Sequence, residues 1–176
     1  MPVHLLIVYD DFGRNMTPLA QAIEEGASGV TGTTVQRRLV QDATAEDMLA
    51  ADAVVLGSPN FSGISGRLKS WLDSDPMEVL WEGQPMRGKV GAAFVAGRSR
   101  NAGQEFTLLA LLHVLWGYGM LVVGVPWSDL MLASSSYYGA AASRQLQEED
   151  LAQARLLGER VARVAQRLYG AGEARL

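Results

Sequence analysis

Three short polar segments of this sequence carry the residues best suited to bind a ligand. The most informative segment is residues 57–73, GSPNFSGISGRLKSWLD, which follows an apolar run and opens a helical pattern at Ser65. An aromatic ring offers a stacking face, and small polar groups with backbone amides can meet the edge of a flat heterocycle. The candidate binding residues here are Pro59, Asn60, Phe61, Ser62 and Gly63. Ser, Pro, Asn and Gly are also ordinary turn formers, so a plain strand-to-helix turn is the alternative interpretation.

Two other loops have a composition that suits the remaining parts of a nucleotide. Residues 10–15, DDFGRN, precede a helical pattern, and a helix N-terminus favours an anion such as phosphate. Residues 97–103, GRSRNAG, form a polar, glycine-bounded loop that could hold a planar ring together with residues 57–73. The three segments together predict a mononucleotide site, with a phosphate at one end and an aromatic ring at the other.

The elements that must position these loops alternate between apolar strands and helices. The predicted strands are Val3–Tyr9, Thr33–Val40, Ala51–Leu56, Lys89–Ala96 and Met120–Val125. Five helices are predicted. The first has Thr17 as N-cap and Pro18 as its first residue, the second starts with a capping box of Thr44 and Asp47, and the third starts at Ser65. The fourth spans Gln104–Trp116 and the last spans Glu148–Tyr169. Ser74–Gly88 is predicted to be irregular, with Leu80 and Trp81 exposed, and Pro126–Arg144 is predicted to be a long insertion.

This alternation predicts an α/β protein, a flavodoxin-like three-layer sandwich with a five-stranded parallel sheet. Crossover helices of this length demand parallel strands with right-handed connections. Ligands of such sheets bind beyond the carboxyl ends of the strands, where the three loops converge. We expect a single domain over residues 1–176, because that length is near the usual domain size.

Composition excludes several classes of function. The net charge of -4 gives no basic footprint for nucleic acid, and the absence of cysteine rules out disulfides and thiol catalysis. The opening MPVHLLIVYD has an apolar run too short to span a bilayer and predicts a first strand of a cytoplasmic protein without a membrane partner. We find no metal-ligand spacing and no nucleophile constellation, and His4 and His113 lie inside predicted elements rather than in the loops.

Four segments, in order along the chain, resemble one family. GSPNFSGISGRLKSWLD, GQEFTLLALLHVLWGYGMLVVG, SYYGAAA and ARLLGERVARVAQRL are similar to the flavodoxin-like NAD(P)H:quinone oxidoreductases of the tryptophan-repressor-binding-protein (WrbA-like) group. The resemblance implies bound FMN, NAD(P)H as co-substrate, a two-electron hydride transfer to a quinone-type acceptor, and a homo-oligomer, either a dimer or a tetramer.

The resemblance also implies roles for individual residues. Aligned on the following helix, the phosphate loop of the family maps onto Asp11, Phe12, Gly13, Arg14, Asn15 and Met16; aligned instead on Gly13, it leaves one extra residue before the helix. The other edge of the ring maps onto Gly97, Arg98, Ser99 and Arg100. Tyr118 stands where the family often has a histidine, which implies a catalytic position bordering the quinone, from a neighbouring subunit; the alternative is a buried core tyrosine.

The first loop departs from the family pattern. The family typically has Ser-x-Thr-Gly-Asn-Thr there, whereas this chain has lost both hydroxyls and carries Asp10 and Asp11. A carboxylate about 4 Å from a phosphate charge costs a few kcal/mol at a surface-like dielectric. Arg14, Arg98 or Arg100 could offset that cost; the alternative for each is a solvated loop face.

These departures leave two rival interpretations. The first is a flavodoxin-like domain that has lost FMN and acts as a binding or assembly module. The second is an electron-carrier flavodoxin, although such carriers are usually more strongly acidic than this chain, for docking to their partners.

Overall fold

A parallel sheet forms the middle layer of the protein, with helices on both faces. The structure is a computed structural model and describes residues 2–134, 136–143 and 145–170. The strands are β1 (Val3–Tyr9), β2 (Thr33–Leu39), β3 (Ala53–Pro59), β4 (Val90–Ala96), β5 (Leu121–Val122) and β6 (Ala140–Ala142). The helices are α1 (Met16–Ser28), α2 (Ala45–Ala50), α3 (Gly66–Leu72), a 3-10 helix (Asp75–Leu80), α4 (Gln104–Gly117), α5 (Asp129–Ser134) and α6 (Glu148–Tyr169).

The strand order β2-β1-β3-β4-β5 confirms the predicted flavodoxin-like sheet. Every pairing is parallel, so all strands end at the same edge. The chain goes from β1 outward to β2 and then crosses to β3 on the other side of β1, which places the switch point of the strand order between β1 and β3. A crevice at such a point is where open α/β sheets bind ligands.

The fifth position of the sheet is divided between two short strands. β5 pairs with Val90 and Gly91 at the start of β4, whereas β6 pairs with residues 94–96 at its end. The predicted strand Met120–Val125 is therefore too long. The chain leaves the sheet near Gly124, where a Cβ would lie 2.1 Å from the carbonyl oxygen of Tyr137, and Pro126 then has no amide to donate to a ladder.

Two hydrophobic cores hold the layers together, one on each face of the sheet. Leu5 and Ile7 of β1 face the core under α1 and α6, and Leu6 and Val8 face the core under α2, α3 and α4. Successive side chains of a strand point to opposite faces, so a strand covered on both faces must be apolar throughout. This requirement explains the continuous apolar runs that predicted the strands.

Two local predictions need correction, and one is confirmed. Residues 75–80 form a 3-10 helix inside the segment predicted to be irregular, and Leu80 is fully buried while Trp81 is exposed. Helix α1 starts two residues earlier than predicted, at Met16 with Asn15 as N-cap, because proline is tolerated anywhere in the first turn, where amides have no intrahelical acceptor. The capping box of Thr44 and Asp47 is present at α2.

Candidate functional site

The structure brings the three predicted loops together at the carboxyl edge of the sheet. The first and second loops meet through the rings of Phe12 and Phe61, whose centroids are 5.1 Å apart. The second and third loops meet through Asn60, whose backbone amide donates to the carbonyl oxygen of Ala96 at 2.8 Å and whose Nδ2 donates to that of Ala102 at 2.7 Å. Segments that are far apart in sequence therefore form one continuous surface.

The side chain of Asn60 also stabilises the shape of the second loop. Its Oδ1 accepts a hydrogen bond from the backbone amide of Ser62 at 3.2 Å and another from Thr107 Oγ1 at 2.9 Å. Ser62 has a φ of 60°, a left-handed conformation that is costly for a residue with a Cβ and needs such support. The ring of Phe61 is 57% exposed, so the loop holds an aromatic face toward solvent.

Pro59 lies beneath this loop. It is the last residue of β3 and is buried, so it directs the chain and does not present a surface of its own. The preceding Ser58 hydroxyl accepts from the amide of Ser65, the N-cap of α3, at 2.8 Å. Strand and helix are thus joined tightly on either side of the exposed residues Phe61 and Ser62.

The first loop contains a cluster of charges whose cation was not predicted. Asp10 is 2% exposed, and its Oδ1 lies 2.6 Å from Arg67 Nη2 and accepts from the Phe12 amide at 3.0 Å. Asp11 Oδ1 lies 3.4 Å from the same Arg67 nitrogen. Arg67, in the first turn of α3, therefore neutralises one of the two negative charges that argued against an anion here.

The N-terminus of α1 remains suited to an anion. Asn15 is its N-cap but makes no side-chain hydrogen bond to the helix; its Nδ2 instead donates to the carbonyl oxygen of Ser143, which follows β6. The first-turn amides of a helix have no intrahelical acceptor, and the side chain of Asn15 does not cap them. Gly13 has a φ of 95°, and a Cβ on it would meet no atom within 4 Å, so there is open space beside the loop.

The third loop is tied to β6 and to the helices behind it. The Gly97 amide and Gln104 Nε2 both donate to the carbonyl oxygen of Ala142, at 2.9 and 3.0 Å. Arg100 donates to the carbonyl oxygen of Ala133 and lies 3.8 Å from the buried Asp150. Arg100 is thus engaged away from the first loop, whereas Arg98 and Ser99 are exposed.

The structure contradicts the predicted position of Tyr118 beside a quinone. Its side chain is 0% exposed. Tyr118 follows the C-terminus of α4, near the amino edge of the sheet, whereas the third loop precedes the N-terminus of that helix. The length of the helix, about 20 Å, therefore separates the two. Trp81 covers it, with ring centroids 4.6 Å apart. The alternative, a core tyrosine, is the correct one.

The surroundings of Tyr118 fit that structural role. Its hydroxyl has no hydrogen-bond partner among the described residues. Burial, and to a lesser degree the charge of Asp73, raises the pKa of Tyr118 to about 12. A phenol in this position holds its proton and cannot serve as an acid or base near neutral pH.

Sequence reasoning missed three contributors to this site: Arg67, Thr107 and the carbonyl oxygen of Ser143. A signal for Arg67 was available, because two adjacent carboxylates at the end of a buried strand demand a nearby cation. Helix α3 starts beside that strand, and Arg67 is its second residue. No comparable signal pointed to Thr107 or Ser143, which reach the loops only through the tertiary fold.

The described residues fit a flavin mononucleotide better than they fit a metal or a nucleophilic centre. Uncapped helix amides, open space at Gly13 and Gly63, and the exposed rings of Phe12 and Phe61 are suited to a phosphate and a flat ring. Across residues 2–134, 136–143 and 145–170, no cluster of three or more His, Cys, Asp or Glu side chains could hold a metal ion. None of the helices in those ranges has the length and apolarity needed to cross a bilayer.

Fold and site together define a flavodoxin-like protein of the flavin-binding class. The family of NADPH-dependent FMN reductases matches residues 18–131, and the chain belongs to that family.

Individual relatives agree with this assignment. The NAD(P)H dehydrogenase (quinone) of Archaeoglobus fulgidus is 30% identical, over 93% of this chain and 98% of its own length. A protein of Aquifex aeolicus named flavodoxin is 34% identical, over 90% of this chain and 84% of its own. The crystal structure of the WrbA-like flavodoxin from Agrobacterium tumefaciens superposes with a TM-score of 0.74 at 26% identity, covering 94% of this chain and 98% of that one. The expected WrbA-like membership is confirmed.

Proposed function

We propose that this protein is an FMN-dependent NAD(P)H:quinone oxidoreductase. The observation that carries the proposal is the meeting of the three loops beside the N-terminus of α1, through the ring contact of Phe12 with Phe61 and the hydrogen bond of Asn60 to Ala102. Family membership supplies the cofactor class, and relatives named NAD(P)H dehydrogenase (quinone) support the two substrates. When bound, the flavin supplies the chemistry, accepting hydride from NAD(P)H and reducing a quinone by two electrons.

The protein's part in this reaction is binding and orientation. Asn60, Phe61, Ser62 and Gly63 would hold one side of the ring, and the loop from Gly97 to Ser99 its other edge. The backbone of residues 13–16 would meet the phosphate, with Phe12 flanking it. Arg100 would support the third loop without contacting the ring, because it links that loop to α5 and α6.

No side chain in this assignment needs to act as an acid or base. His4 is exposed in β1 near the amino edge of the sheet, and His113 is exposed on α4, remote from the loop residues. Tyr118 is excluded by its burial.

The proposal includes a homo-oligomer. Helix α4 is apolar on nearly all sides, which is typical of a helix that is covered all round. Yet Phe106 is 76% and Trp116 51% exposed on its outer face, with half-buried Leu109 and Ala110 between them. A second copy of this chain would cover that face. The cytoplasmic location and the single domain over residues 1–176 stay predictions.

A titration followed by a turnover assay tests the proposed function. The purified full chain, stripped of flavin, is titrated with FMN and then mixed with NADH or NADPH and benzoquinone. We expect FMN binding at micromolar concentration or tighter, and quinone reduction that depends on added FMN. A protein that takes up no FMN at about tens of micromolar would instead support the rival interpretation, an FMN-free assembly module.

A further inference from the structure

We propose that Arg67 is a built-in counter-ion that makes the acidic first loop receptive to the phosphate of the flavin cofactor. The inference rests on the proposed function and extends it to a residue outside the loops that the resemblance identified. It concerns a positioning residue, because Arg67 acts through Asp10 and Asp11.

One nitrogen of Arg67 contacts both carboxylates, as a shared counter-ion must. A single nitrogen, Nη2, lies 2.6 Å from Asp10 Oδ1 and 3.4 Å from Asp11 Oδ1. The rest of the guanidinium has no acceptor among the described residues, and the side chain is 51% exposed. Arg67 therefore bridges both carboxylates at the rim of the site.

Charge counting shows why the bridge matters. The cluster of Asp10, Asp11 and Arg67 carries one net negative charge. Without Arg67 it would carry two, in the loop before the helix N-terminus that is to receive a dianionic phosphate. Burial strengthens the effect, because Asp10 is 2% exposed and its charge is poorly screened by solvent.

The contacts of Asp10 also fix its position at the end of β1. Asp10 Oδ1 accepts from the amide of Phe12 and from Arg67. Both partners hold that carboxylate at the base of the loop, at the end of β1, and the helix of residue 16 onward begins six positions later. Arg67 thus keeps the acidic pair in place as well as reducing its charge.

The test measures binding of FMN and of riboflavin, which has the same ring but no phosphate, by quenching of flavin fluorescence in the full chain. For Arg67→Gln we expect FMN binding about five- to tenfold weaker and riboflavin binding changed by less than about twofold. The FMN loss should shrink between about 20 mM and about 300 mM salt. Arg67→Lys, which keeps the charge, should retain most of the FMN affinity.

Removing the acids should rescue the loss. The formal charge of the cluster is -2 in Arg67→Gln, -1 in the natural chain, 0 in the triple variant Asp10→Asn/Asp11→Asn/Arg67→Gln and +1 in Asp10→Asn/Asp11→Asn. FMN affinity should rise in that order. Lys69→Gln is the matched control, because Lys69 lies on the same helix and pairs with Asp73, away from the loop; its FMN affinity should change by less than about twofold.

Each other outcome overturns the inference. Equal weakening of FMN and riboflavin in Arg67→Gln would mean that the loop is merely disrupted, and circular dichroism would report the extent. A triple variant as weak as Arg67→Gln would mean that Arg67 does not act through the acids. A natural chain that binds neither flavin would overturn the proposed function, whereas one that binds FMN equally well with and without Arg67 would overturn this inference alone.

Discussion

Thr107 Oγ1 donates a hydrogen bond to Asn60 Oδ1 at 2.9 Å, and this contact joins helix α4 to the loop that follows β3. Thr107 is fully buried, so it cannot touch a ligand itself. The pair is separated by 47 residues in sequence and makes the loop's shape depend on the position of the helix. Preorganised loops bind with less entropy cost, so the contact bears directly on affinity.

Disrupting this pair should weaken flavin binding in a graded way. Thr107→Val removes one hydrogen bond of Asn60 and should lower the free energy of unfolding by about 1 kcal/mol, with FMN binding a few fold weaker. Asn60→Ala removes all its side-chain bonds and should weaken FMN and riboflavin alike, by about tenfold or more. Denaturant unfolding and flavin titration measure the two effects. Equal flavin affinity in the natural chain and Asn60→Ala would contradict the role given to this loop.

The charge of the first loop gives a second prediction. Asp11→Ser removes the more exposed carboxylate and leaves Arg67 paired with Asp10. FMN binding should tighten and become less sensitive to salt, because one repulsive charge is gone. Flavin titrations at two salt concentrations check both effects. Unchanged affinity would remove the argument that Asp11 repels the phosphate.

The buried hydroxyl of Tyr118 predicts a specific dependence on alkaline pH. Burial raises its pKa from an ordinary value of 10.0 to about 12 in the folded state, so the unfolded chain loses this proton first as pH rises. Stability is therefore unaffected by this group below pH 10 and declines between pH 10 and about 12. Tyr118→Phe should unfold at higher temperature than the natural chain in that range, and should retain FMN-dependent turnover at neutral pH.

The control is Tyr137→Phe, because Tyr137 is half-exposed. The unfolding temperature of this variant should change with pH in the same way as that of the natural chain. A large loss of quinone turnover in Tyr118→Phe, with folding intact, would restore the catalytic role that the structure contradicts.

The exposed apolar face of α4 gives a prediction about assembly. Phe106→Glu or Trp116→Glu places a charge where a second copy is expected and should shift the protein toward the monomer. Light scattering after size-exclusion chromatography measures the mass. Thr31→Glu, an exposed charge in the turn before β2, is the control and should leave the mass unchanged. A natural chain that is monomeric at about 100 µM would contradict the proposed oligomer.

The sequence by itself determined the layers of this protein and the loops of its site. The runs in β1, β3 and β4 are mostly apolar because both faces of those strands are covered, and such runs can be recognised from the sequence alone. Loops at the ends of parallel strands share one edge, so the convergence of residues 10–15, 58–63 and 97–103 followed from topology alone. The capping box of Thr44 and Asp47 involves residues only three positions apart, so the sequence predicted it correctly.

Tertiary structure alone decided which side chains of those segments meet. Leu80 and Trp81 are adjacent in sequence, yet one is buried and the other covers Tyr118, because a 3-10 turn directs them to opposite sides. Arg67 neutralises Asp10 across 57 positions of chain, whereas the nearer Arg14 and the expected Arg100 do not. This pairing depends on how close the start of α3 lies to the end of β1, and no local pattern of residues determines that distance.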